Sequence, residues 1–265
     1  MLVILVLLIF LVAIIFSMLG QGGGVLYTPL QVWAGVEFHT AAATSLFLIM
    51  VVSLSASLVF HKVRKVDWPL IVVLESATMS GGFVGGLASA RVPAELLSLL
   101  FALVVMVAGA LMIRRPRQAI SAKPRTHWFS WSRQLGNQVY QVDLGVGLPL
   151  SALAGLVSGM VGVGGGILKV PLMVMLLGVP MDIAIGSSSL MIGLTAGAGF
   201  AGHMVSGHWD WRLSLLLAIA VFAGGQIGSR ISVRISKQKL KVAFGWFMLV
   251  IALLMIIRAY TQLSV

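Results

Sequence analysis

The chain contains no cysteine. That excludes disulfides, thiol nucleophiles and Cys-ligated metals. Charge is scarce as well: 9% of the 265 residues are Asp, Glu, Lys or Arg, against roughly 25% in a soluble domain. No Ser–His or paired-Asp arrangement is legible at helical spacing, which argues against an intramembrane enzyme. No G-x-x-x-x-G-K-[ST] run occurs, so the chain does not itself use ATP. The first apolar run lacks a basic leader and is too long for a signal h-region. Glycines follow it instead of a small-residue cleavage site, so it reads as a span and not as a signal peptide.

What is present is hydrophobic sequence, 59% of the chain, in recurrent runs of about 18 residues or more. Such runs are the signature of membrane-spanning helices. The expected fold class is therefore an all-α integral membrane protein with lipid as its solvent. The long polar stretch is Arg114 to Gln141. The net charge of +11 is assigned to cytoplasmic loops under the positive-inside rule, not to nucleic acid.

The chain is also internally duplicated. GQGGGVLYTPL (20–30) recurs as GVGGGILKVPL (162–172). Gly20, Gly22, Gly23, Gly24 and Pro29 fall on Gly162, Gly164, Gly165, Gly166 and Pro171. After a one-residue slip, Thr44-Ser45 matches Ser187-Ser188, Asp67-Trp68 matches Asp210-Trp211, and Gly81, Gly82 and Gly85 match Gly224, Gly225 and Gly228. The expected organisation is a first transmembrane repeat (1–115), a basic cytoplasmic linker (116–142) and a second repeat (143–265). Each half reads as a full span (2–19; 144–161), a short apolar segment (25–36; 167–179) and three longer spans (40–60, 69–90, 95–113; 183–202, 212–230, 241–258). If the short segments cross, each half has five segments and the halves are inverted. If they are re-entrant, the halves run parallel. With 114–141 inside, the inverted arrangement puts 14 Lys/Arg inside and three outside, and the parallel one 11 and six. Charge favours inverted repeats.

Duplicated halves with interrupted segments at matching places point to a transporter site, with a non-transporting membrane scaffold or assembly protein as the alternative. Glycine clusters let helices end and let backbone approach backbone or ligand, and a helix starting just after one aims its N–H groups and dipole at an anion. Tight helix packing is the competing role for the same glycines. Lys169, in an apolar segment, is the sharpest single residue. Its ammonium either pairs with an anionic substrate or snorkels to the surface. Thr44, Ser45, Ser187 and Ser188 offer hydroxyls at the starts of the following spans, with ordinary N-capping or helix–helix hydrogen bonding as the competing role. Gln21 offers an amide where the second motif has Val163. The candidate substrate-binding set is thus Gly20, Gln21, Gly22, Gly23, Gly24, Thr44, Ser45, Gly162, Gly164, Gly165, Gly166, Lys169, Ser187 and Ser188. Glu75, about six residues inside its span, is the candidate proton carrier, or else an interfacial carboxylate or one paired with a loop base. His61 and His203 read as interfacial, and no metal ligand set is assigned. The first motif differs from the second in having Tyr27-Thr28 where the second has Lys169-Val170.

Two copies of G-x-G-G-G-x-x-x-x-P in a duplicated polytopic chain resemble the sulfite exporter TauE/SafE family. The resemblance implies a multi-pass permease of the bacterial or archaeal inner membrane. Its implied cargo is a small anion such as sulfite, an organosulfonate or another sulfur-containing organic acid. It implies no cofactor and no nucleic acid. Protons are the candidate coupling ion, and a homo-oligomer is left open.

Overall fold

The computed structural model describes residues 2–18, 22–60, 66–113, 129–135, 138–163, 169, 172–232 and positions within 246–257. Helices dominate it. They are α1 (Leu2–Met18), α2 (Gly24–Trp33), α3 (Phe38–Phe60), α4 (Trp68–Ser89), α5 (Ala94–Ile113), α6 (Leu144–Val161), α7 (Met181–Val205) and α8 (Trp211–Ser232). Four of them (α3, α4, α6 and α8) are long and apolar enough to cross a membrane. A π-helical turn spans Leu172–Leu176. The bounds of α1 to α8 follow the expected spans closely because uninterrupted apolar runs leave the backbone no other way to satisfy its polar groups in lipid, while much of the expected segments 167–179 and 241–258 lies outside the described residues.

The polar stretch before α6, expected as a basic linker, holds a further element. Its last part forms an antiparallel hairpin, β1 (Ser130–Leu135) and β2 (Gln138–Asp143), with Ser130 opposite Asp143 and Leu135 opposite Gln138. Val142 and Tyr140 bury into a second core with Leu70, Leu74, Met173, Leu177 and Ile183. The alternation of apolar and polar residues in QVYQVD has the period of a strand, hidden in a region read only for its charge.

Glycine brings the helices together. A side chain at Gly155 would run into the Thr78 carbonyl, and one at Gly159 into the Gly82 carbonyl, so α4 and α6 touch backbone to backbone. Gly224 meets Phe10 and Ala13 and Gly228 meets Ile14, joining α8 to α1. Gly86 and Gly202 do the same for α4 and α7. Close approach through small residues is how helices associate where lipid removes the hydrophobic drive.

The order of these contacts gives directions. Leu74 and Gly82 meet Gly147 and Gly159, so α4 and α6 are parallel. Phe10 and Ile14 meet Gly224 and Gly228, so α1 and α8 are parallel. Thr44 bonds Ser214 and Ser55 bonds Phe222, aligning α3 with α8. Asp67 bonds Ser187 and Glu75 bonds Thr195, aligning α4 with α7. By contrast Ser53 bonds the Ser189 carbonyl, while Leu46 meets Gly199, so α3 and α7 are antiparallel. Hence α1, α3 and α8 run one way, and α4, α6 and α7 the other.

Candidate functional site

Both helices that lead into the glycine motifs stop there. α1 ends at Met18, and Gly22 (φ +59°) and Gly23 (φ +74°) turn the chain into α2 through left-handed conformations that only glycine adopts cheaply. α6 ends at Val161 with Gly162 at φ +77°. Gly24 lies against the Val163 carbonyl, Gly22 against Ile49 and Ile192, and Gly162 against Ala42. The start of the second motif therefore reaches the end of the first motif's glycine cluster. Gly20, Gln21, Gly164, Gly165 and Gly166 lie outside the described residues, as does His61. Beside Gly22 is a small cavity of about 10 Å³, bordered by Ser17, Val52, Ser53, Ala56 and Ser189. It has room for about one water.

Lys169 is buried, 4% exposed, and does not snorkel to the surface. Its ammonium is not waiting for a substrate either. It donates to Glu75 Oε2 at 2.5 Å, to Thr195 Oγ1 at 2.5 Å and to the Met191 carbonyl at 3.1 Å. An ammonium has three protons, so all three are used. Glu75, 2% exposed, takes its second oxygen to the Thr195 hydroxyl at 2.5 Å. The interfacial reading of Glu75 thus falls. It joins Lys169 in one buried ion pair, closed by a threonine that sequence reasoning passed over. The signal for Thr195 was present: it replaces Val52 of the other half, at a helix face that also carries Ser187 two turns earlier.

The hydroxyls do not converge on Lys169. Ser45 accepts from Thr28 (2.9 Å) and from the Gln31 amide (3.0 Å), while Thr44 accepts from Ser214 (3.2 Å). The first two bonds join α2 to α3, and the third joins α3 to α8. Ser187 accepts from the Asp67 backbone N–H at 3.1 Å, near the start of α4, and Ser188 is buried. His203 is fully buried within the protein, with Nε2 donating to the Gly159 carbonyl at 3.0 Å.

Above the ion pair, Asp67 anchors the hairpin. Its carboxylate caps α4 by accepting from the Leu70 N–H. It also accepts from Arg133 Nη2 at 2.6 Å and from Tyr140 Oη at 2.5 Å. Burial by itself would raise this carboxyl. The Arg133 and Tyr140 hydrogen bonds, the Leu70 amide and the Arg133 charge outweigh it and hold the group below the ordinary aspartate range. Its counterpart Asp210 is exposed and only caps α8, through the Arg212 and Leu213 amides. Asp67 and Glu75 are eight residues apart on α4, as Ser187 and Thr195 are on α7. The hairpin anchor and the ion pair thus lie about 12 Å apart along the same helix pair.

Comparison with known proteins agrees with this architecture. Residues 5–255 match the family Sulfite exporter TauE/SafE. A "probable membrane transporter protein" of Bacillus subtilis is 27% identical over 240 residues, covering 87% of this chain and 88% of that protein. Another so named, from Xylella fastidiosa, is 29% identical over 261 residues, covering 96% and 94%. An archaeal one, from Methanocaldococcus jannaschii, is 22% identical over 266 residues, covering 94% and 92%. No solved structure matches the chain. The chain is thus a multi-pass membrane transporter protein, a member of the sulfite exporter TauE/SafE family.

Proposed function

We propose that this permease is a secondary transporter of small anions such as sulfite, organosulfonates or other sulfur-containing organic acids, and that Glu75 and the substrate compete for the Lys169 ammonium. The observation that carries this reading is the buried Lys169–Glu75–Thr195 cluster, with Glu75 and Thr195 on α4 and α7 and Lys169 three positions past the last glycine of the second motif. In the described state the carboxylate occupies the place an oxyanion would take. An arriving anion displaces it, and a carboxylate left unpaired in a dry interior is costly enough to take up a proton instead. One proton then travels with one anionic charge, which supports protons as the coupling ion. The substrate-binding set is Lys169 and Thr195 with the backbone of the two glycine motifs.

The two halves, 1–115 and 143–265, act in this reading as inverted repeats that rock against each other in the inner membrane of a bacterium or archaeon. The pattern of contacts supports it. Gly81 lies on Ala152 and Leu156, just as its match Gly224 lies on Phe10 and Ile14. Gly82 lies on Thr195, and its match Gly225 on Val52. Each half presents the same surface to the other, while the matched helices α3 and α7 run in opposite directions. Smooth glycine contacts between halves leave few side chains to unlock when one slides on the other.

The test is sulfite efflux from proteoliposomes with and without a pH gradient. Wild type should respond to the gradient. Glu75→Gln, which leaves Lys169 unneutralised and carries no titratable proton, should still move sulfite but lose that response. Wild-type flux indifferent to the gradient would end the proton-coupled reading.

A further inference from the structure

We propose that the hydroxyl of Tyr27 is a second ligand-binding group, donating a hydrogen bond to an acceptor oxygen of a small oxyanion seated at the N-terminal end of α2. The proposal rests on the anion reading above and adds to it a neutral subsite in the first half.

Tyr27 is fully buried, and its hydroxyl has no hydrogen-bond partner among the described residues. An unpaired buried hydroxyl is a standing cost that phenylalanine, with the same ring, would avoid. Side chains in a helix lean toward its N-terminus. Tyr27 accordingly folds back over Gly23: a Cβ placed there would lie 2.8 Å from both the ring Cζ and the hydroxyl oxygen. The hydroxyl therefore hangs over the first turn of a ten-residue helix whose cap, Gly23, provides no side-chain hydrogen bond. The leading N–H groups of a helix have no partner within it and favour negative charge. Hydroxyl and N–H groups together present donors alone, which suits acceptor oxygens.

The other half shows what is missing. Lys169 stands at the same place in the second motif as Tyr27 in the first. Its polar head is held by Glu75 and Thr195. The positions that match these two are Ala218, in the second half, and Val52, in the first, and neither can bond a phenol. The same slot thus holds a polar head without a protein partner, and the ligand completes it. The cavity next to Gly22, about 10 Å³, is too small for an oxyanion. An oxyanion therefore needs a more open conformation at this end of α2 than the described one. Lacking a formal charge, the seat holds the anion more loosely than Lys169, as suits a station on a path.

Tyr27→Phe removes one oxygen and nothing else. Its unfolding temperature in detergent without ligand should equal or exceed wild type. Its KM for sulfite efflux from proteoliposomes should rise about three- to tenfold, the worth of one neutral hydrogen bond, with the maximal rate within about twofold. A lowered unfolding temperature without ligand would mean the hydroxyl serves the fold, and would overturn the proposal. So would an unchanged KM in a variant measured beside an active wild type, and that result leaves the Lys169 reading standing. Wild type that neither moves sulfite nor is stabilised by it would overturn both.

Discussion

Lys169→Met strands Glu75, and that should be measurable as stability. In the native protein Glu75 receives hydrogen bonds from Lys169 at 2.5 Å and from Thr195 at 2.5 Å, with almost no solvent access. Truncating one partner of such a buried pair costs about 3–5 kcal/mol, since the survivor keeps its desolvation penalty without compensation. At about 2–4 °C per kcal/mol, the unfolding midpoint should fall by about 6–20 °C. Lys169→Met therefore does not by itself separate binding from folding. The double variant Lys169→Met/Glu75→Leu removes both charges, and Thr195 still has the Met191 carbonyl at 3.1 Å to receive its proton. Replacing a whole buried pair by apolar groups is often neutral or stabilising, so the double variant should recover most of the loss. The assay is thermal or denaturant unfolding in detergent, followed by circular dichroism, for wild type, both single variants and the double. The coupling energy from the cycle should reach about 3 kcal/mol. Single effects that add to within about 0.5 kcal/mol would refute the pairing.

Other expectations follow from the same geometry. Asp67→Asn should loosen the hairpin by about 1.5–3 kcal/mol, the worth of hydrogen bonds to a charged group, read as faster amide exchange in β1 and β2. Because the folded Asp67 titrates below its unfolded value of about 3.9, its contribution is complete above that pH and lost as pH falls through the folded value. Hairpin protection should hold at neutral pH and fade below about pH 4 in wild type, with a weaker acid dependence in Asp67→Asn. Gly155→Val would drive a side chain into the Thr78 carbonyl, a backbone atom with nowhere to go, and should cost about 1–3 kcal/mol or more in unfolding assays, whereas Gly35→Ala, where no neighbour lies within 4 Å but φ is +93°, should show only the smaller backbone penalty. A C-terminal reporter active only in the cytoplasm should stay dark if the halves are inverted. A working one would favour the parallel arrangement.

The sequence by itself determined the class, the helix bounds and the places where helices break. Apolar runs such as 40–60 and 69–90 admit only helices in lipid, and Gly22-Gly23 and Gly162 mark breaks because their positive φ values are costly for other residues. It also singled out Lys169 and Glu75, since charge in an apolar segment stands out without any knowledge of its neighbours. What it could not say is that the two belong together. They are 94 positions apart, and their meeting depends on α4 and α7 lying side by side through Gly86 and Gly202. The same packing sent Ser45, Thr44 and Ser187 to other partners, buried His203, and laid β1 and β2 across Asp67. Periodicity along a chain reports which residues avoid water. Which polar groups then find one another is decided by the register between helices, and that is set by glycine contacts between backbones distant in the chain.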